Sequence, residues 1–129
     1  MIHARHYTLE EASELLPRVV ALIERMRVAR GRLGDREARE ALSEAGPTNG
    51  GGSPGRTVSE GFLELRDSMM ELRELEVVLR DLDRGLLDFP SLRDGREVYL
   101  SWQIHEDEVA HWHTAETGYP SRLPLDPWN

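Results

Sequence analysis

The sequence predicts an α+β fold: a long antiparallel helical hairpin packed on a small antiparallel β-sheet. Three observations predict it. Apolar residues recur at helical spacing over residues 9–33 and again over about 57–82. A Gly/Pro-rich segment separates the two stripes, which should therefore pair as a hairpin. Strand-like runs at 85–90 and 97–102 then flank the turn signal Asp94-Gly95. The 129 residues fit one domain, 1–129.

Each element has its own local reason. His3 to Tyr7 reads as a short extended run, the third strand of the sheet. Thr8-Leu9-Glu10-Glu11 is a capping box, with Thr8 as N-cap and Glu11 three residues on. The first helix follows from 9 to 33, carried by Ala12, Leu16, Val19, Ile23 and Met26. Pro17 should bend it or mark a new first turn. A more polar helix continues from Asp35 to Ala45. Residues 46–56 form a flexible connector, because no Gly-Lys-Ser/Thr is present to make a phosphate loop. The second long helix, about 57–82, is capped by Thr57 or Ser59. Its Glu76, near the seam, is expected to snorkel or to pair with an arginine such as Arg73 or Arg80, the alternative being a buried functional carboxylate. Gly85 closes that helix. In the β-hairpin, alternation turns Asp88 away from Leu87 and Phe89, toward solvent or a cleft. A short C-terminal helix is expected at 106–115, and an irregular tail after Gly118.

The composition narrows the chemistry. There is no cysteine, so disulfides and thiolate catalysis are excluded. All 16 basic residues are arginine, which excludes a lysine Schiff base. The net charge of -8 repels phosphate backbones and argues against nucleic-acid partners. Arg25 to Arg39 is arginine-rich, but Glu24, Asp35, Glu37 and Glu40 are interleaved, as on a mixed solvated face. No apolar run approaches a membrane span, and the start lacks the apolar core of a secretory signal. The expected location is the cytoplasm.

Residues 102–113 concentrate the candidate chemistry: three of the five histidines, three carboxylates and two tryptophans. His105-Glu106 opens like a zinc-protease helix, but position 109 is Val109, so that motif fails. On a helix, Glu106 and His113 would share a face, and Asp107 or Glu108 would pair with His111. The candidate ligand-binding residues are Asp88, Trp102, Glu106, Trp112, His113 and Arg122. A divalent metal is the candidate cofactor, with Glu106, His111 and His113 as its candidate ligands. Surface pairing and core packing are the bland alternatives for the same residues.

Beyond these local readings, Tyr7-Thr8-Leu9-Glu10-Glu11-Ala12 with Leu15-Leu16-Pro17 resembles the opening of a bacterial family of uncharacterised small proteins, domain of unknown function 2203. The resemblance extends through Gly85 to Pro90, Gly95 to Trp102, Trp112-His113 and the tail residues Gly118, Tyr119, Arg122 and Pro124. It covers most of the chain outside the glycine loop. Ser101 stands where the family usually has Cys, and His105 where it usually has Gly, so His105 is no shared ligand. The resemblance implies Asp88, Glu106, Trp112, His113 and Arg122 as site residues and supplies no activity.

Three functions fit these residues. The leading one is a self-associating ligand-binding or regulatory module, a homo-oligomer formed through its helical hairpin. Glu106 and His113 would bind a polar ligand or ion, Trp102 and Trp112 would wall the pocket, and Arg122 would close it. The second is a small metal-dependent or acid–base hydrolase using His113 with Glu106 or Asp88. The third is a structural or interaction protein in which the same groups form a buried polar network. The residue types alone do not decide whether the chain is an enzyme.

Overall fold

A computed structural model describes residues 1–44 and 59–125. The expected connector at 46–56, Thr57 and the last four residues lie outside them. The architecture is α+β, with three α-helices and a five-stranded antiparallel sheet in the order β1-β2-β3-β4-β5. The chain divides into two compact units. One comprises Met1–Val20 and the chain from Glu76 onward; the other is Ala21–Leu75.

Helix α1 (Leu9–Gly31) starts where the capping box places it. The Thr8 N–H donates to Glu11 Oε1 at 2.8 Å and the Glu11 N–H to Thr8 Oγ1 at 3.1 Å. The helix runs through Pro17 without a break. Its buried positions, among them Ala12, Val19, Ile23 and Met26, are those of the apolar stripe. In the second unit, α2 (Asp35–Glu44) buries Ala38 and Ala41, and α3 (Glu60–Glu74) buries Phe62, Leu65, Met69 and Leu72. Ser59 caps α3 by accepting the Phe62 N–H at 3.1 Å. A Cβ added at Gly61 would lie 3.4 Å from Leu33 Cδ2 and 3.6 Å from the Ala29 carbonyl, so α3 starts close against the end of α1.

The second long helix is shorter than its periodicity predicts. α3 stops at Glu74 and β1 (Val78–Asp81) follows. Glu76 takes φ 59, the left-handed conformation that ends helices. It thus lies outside the helix and away from any seam. Leu79 and Leu82 satisfy helical spacing, but Val77 and Val78 favour strand, and pairing with β2 decides the matter. Gly85 therefore closes no helix. It sits in the β1–β2 turn at φ 59, where an added Cβ would come within 2.8 Å of Ile104 Cβ.

β2 (Leu86–Arg93) and β3 (Arg96–Trp102) form the expected hairpin, with register from Leu87↔Trp102 to Arg93↔Arg96. Asp94 and Gly95 both have positive φ, 52 and 78, as a type I′ turn requires. The N-terminal run is not the third strand. β1 pairs β2 only as far as Val78↔Asp88, and Tyr7 fills the edge beyond it. The Tyr7 N–H donates to the Pro90 carbonyl at 2.7 Å, and its ring meets Phe89 edge-on at 5.6 Å.

The expected helix at 106–115 is instead a loop and β4 (His111–Thr114), which pairs antiparallel with β3. The reason is the backbone of β3: its outer edge carries donors and acceptors that need partners, and β4 supplies them. The tail adds a 3-10 turn (Tyr119–Ser121) and the two-residue β5 (Leu123–Pro124). Among the described residues, no helix is long and apolar enough to cross a membrane.

Candidate functional site

The register sorts the hairpin's side chains by face. Leu87, Phe89, Leu100, Trp102 and Trp112 alternate onto one face. The other carries two cross-strand rows. One is Val78, Asp88, Ser101 and His111; the other is Pro90, Tyr99 and His113. Polar groups from three strands, β2, β3 and β4, thus become neighbours. Alternation does turn Asp88 away from Leu87 and Phe89, but it reaches neither solvent nor an open cleft. It is 1% exposed and lies within a network of ion pairs.

That network is built on a β-bulge. Leu79 faces Leu87 and Asp81 faces Leu86, so Arg80 is the extra residue of β1. The Arg80 Nε–H donates to Asp88 Oδ2 at 2.8 Å, and its guanidinium lies 4.9 Å over the Tyr99 ring. His113 Nε2 is 2.9 Å from the same Asp88 oxygen, and its Nδ1 is 2.8 Å from the Thr114 carbonyl. A carbonyl only accepts, so Nδ1 carries a proton; beside an ionised Asp88, Nε2 carries one too. Burial pulls the His113 pKa down. The hydrogen bonds to Asp88 and Thr114 and the Asp88 charge together outweigh burial and the opposing Arg80 charge, and hold it above its ordinary 6.5. With both nitrogens committed, this imidazole has none to turn toward a nucleophile. Asp88 Oδ1 and Ser101 Oγ are buried without a hydrogen-bond partner.

The N-terminal run covers part of the same face. Glu97 accepts the backbone N–H groups of Ile2 and His3, each at 3.0 Å, and His6 Nε2 lies 2.8 Å from its carboxylate. Burial pushes the Glu97 pKa up, but these bonds and the nearby His3 hold it at about 2. Glu76 Oε1 accepts the Ala4 N–H at 3.1 Å and lies 3.7 Å from His3 Nδ1. His3 Nε2 is 2.9 Å from the Tyr99 hydroxyl. Glu76 thus finds its partners on the N-terminal run rather than in Arg73 or Arg80.

A second charged group flanks the row at His111. Arg122 Nη2 donates to both Glu106 oxygens, at 2.9 and 2.7 Å, and to His111 Nδ1 at 2.8 Å. Arginine only donates, so His111 Nδ1 accepts and its proton sits on Nε2. Glu106 belongs to the loop after β3. Its Oε1 also accepts the Gln103 N–H, and its backbone carbonyl accepts the Trp102 indole N–H at 3.0 Å. His111 lines an open cleft of about 550 Å³ whose other walls are Leu9, Ser13, Glu108, Val109, Ala110, Pro124 and Leu125.

The candidate residues thus fall into two neighbouring groups. Asp88 joins His113, and Glu106 joins Arg122 and His111. Trp102 and Trp112 lie on the opposite face from His113: Trp102 is buried, and Trp112 is half-buried beneath the Arg93 guanidinium at 4.6 Å. Glu106 and His113 share no helix face, since one is in a loop and the other in β4. Among the described residues, no three His, Asp or Glu side chains converge where they could hold a metal ion. Arg80, Tyr99, His3 and Glu97 were not singled out from the sequence. Strand alternation through Glu97, Tyr99 and Ser101 was a usable signal for two of them; a bulge and a crossing N-terminal run leave none.

No curated protein and no solved structure matches the chain. One family does, over residues 5–125, a span that contains this polar face and the strands that carry it. The chain belongs to the family described as uncharacterized conserved protein, DUF2203.

Proposed function

We propose that the chain is a binding or regulatory module whose ligand is small, mostly apolar and equipped with a hydrogen-bond acceptor. The carrying observation is the cleft at His111. Its size falls in the range of ligand sites, and its wall is largely apolar with a few polar groups. His111 is the one group shared by that cleft and the Glu106–Arg122 cluster. Arg122 holds its Nδ1, which leaves Nε2–H as a pre-oriented donor on a half-exposed ring. A carboxylate or amide carbonyl on an aromatic or aliphatic body suits this arrangement.

The finer parts of this reading are cytoplasmic location, antiparallel pairing of α1 with α3, and self-association. Close approach at Gly61 supports the pairing. Self-association has less to rest on, because the stripes are mostly buried within the chain and, among the described residues, Val28 and Met70 are the large exposed apolar side chains of α1 and α3. A hydrolase based on His113 has the residue types in its favour, and a divalent metal would then need ligands beyond those that converge here.

The test is a titration of isotope-labelled protein with aromatic and aliphatic carboxylates and amides, followed by NMR. Shifts should centre on the amides of Val109, Ala110, His111 and Leu125, and His111→Ala should weaken them about tenfold, the order expected for one hydrogen bond. If no compound moves these amides, or if His111→Ala binds equally well, the reading fails.

A further inference from the structure

We propose that residues 1–6 are a strap that opens as a unit about Tyr7 and uncovers Tyr99 and the Asp88–His113 pair while the sheet stays folded. The hinge is well defined. Tyr7 is 3% exposed, held by Pro90 and Ser91 through its backbone and by Phe89 through its ring. The capping box follows at once and secures the chain beyond it. N-terminal to Tyr7, no residue is buried and none belongs to a helix or strand; Met1 and Ile2 are each 77% exposed.

The strap is therefore held by polar contacts rather than by apolar burial. Glu97 takes two of its amides and His6, Glu76 takes the Ala4 amide, and Tyr99 takes the His3 ring. Each such bond exchanges readily for one to water, so the net hold of each is modest. Segments of this kind open at far lower free energy than the sheet they lie on.

What lies beneath gives the opening a consequence. The His3 ring meets Tyr99 edge-on at 5.6 Å, and Tyr99 in turn lies 5.4 Å from the His113 ring. Tyr99 and His113 are 4% and 3% exposed. Lifting the strap frees the Tyr99 hydroxyl and both carboxylates, next to the buried pair and to the unpartnered Asp88 Oδ1 and Ser101 Oγ. The uncovered face is rich in acceptors and suits an N–H-rich or cationic ligand, which would take over the bonds the strap relinquishes. This inference is independent of the His111 cleft.

Two measurements on the full chain test it. Hydrogen exchange of the wild type should show the Ile2, His3 and Ala4 amides exchanging together and faster than those of Tyr7 and β3. Hydroxyl-radical footprinting of Glu97→Ala should then raise labelling of Tyr99 and His113 about tenfold over wild type, with Phe89 and Tyr7 unchanged. His3→Ala, which leaves the Glu97 clasp in place, should give a smaller rise at the same two residues. Exchange of the strap amides in step with β3 would overturn the proposal. So would a Tyr99 that stays protected, or labelling that rises equally at Phe89.

Discussion

His113 and Ser101 sit one strand apart on the same face and illustrate opposite outcomes of burial. His113 satisfies both ring nitrogens with Asp88 and Thr114. Ser101 is fully buried and its hydroxyl has no partner. Leaving a buried hydroxyl unpaired costs about 1–3 kcal/mol, more than the contacts its oxygen makes. Ser101→Ala is therefore expected to raise stability by about 1 kcal/mol, or the melting temperature by roughly 3–5 °C for a domain of this size. A fall of similar size in calorimetry would show that the hydroxyl has a partner after all. A thiol, which the resemblance implies at this position, tolerates an apolar site better than a hydroxyl does. His105 stands where the resemblance implies glycine. It is exposed and takes φ 80, a conformation glycine adopts without steric penalty. His105→Gly should stabilise by about 0.5–1 kcal/mol, since relief of a left-handed residue outweighs the added chain entropy. Chemical denaturation checks this, and a midpoint that falls contradicts it.

At the scale of elements, the legible parts are those specified within a few residues. The capping box places the start of α1 because Thr8 and Glu11 satisfy each other's backbone donors without outside help. Asp94-Gly95 sets the register of β2 and β3 because a two-residue turn admits one pairing. Residues 75–82 and 106–115 differ from the helices their pattern predicts for a common reason. Their apolar and charged residues fit a helical period, yet each joins the sheet through a partner strand that lies elsewhere in the sequence. His111-Trp112-His113-Thr114 carried a period of two that was readable as strand. The acidic run before it, with its i, i+4 and i, i+7 spacings to the same histidines, carries a competing helical signal. Gly85 shows how closely these elements then lock. It combines φ 59 with Ile104 at 2.8 Å from any added Cβ. Gly85→Ala should cost about 2–4 kcal/mol, from left-handed strain plus overpacking. A loss below about 0.5 kcal/mol in equilibrium unfolding would mean that the β1–β2 turn rearranges freely.

For the whole molecule, two titrating groups shape stability against pH. The folded His113 pKa lies above 6.5, so its contribution is complete below pH 6.5 and is lost as pH rises through the folded value. The folded Glu97 value is about 2 against an ordinary 4.5, so its contribution is complete above pH 4.5 and is lost as pH falls toward 2. Together they place a plateau between pH 4.5 and 6.5. Asp88→Asn should flatten the alkaline limb and Glu97→Gln the acid limb, as read from melting temperature against pH. An Asp88→Asn profile that keeps its alkaline slope would assign that slope to another group. The candidate site was legible as a list of residues but not as an arrangement. Asp88, Glu106, His113 and Arg122 were each singled out, yet their grouping depends on which strands become neighbours and on the Arg80 bulge. The sequence by itself determined the α+β class, the caps, the hairpin and the family, because those follow from periodicity and from contacts within a few residues. Only the tertiary structure decided that β1 and β4 are strands, that Asp88 is buried, and that the tryptophans face away from His113. Each of those depends on hydrogen bonds or burial contributed from outside the segment itself, which no pattern within the segment encodes.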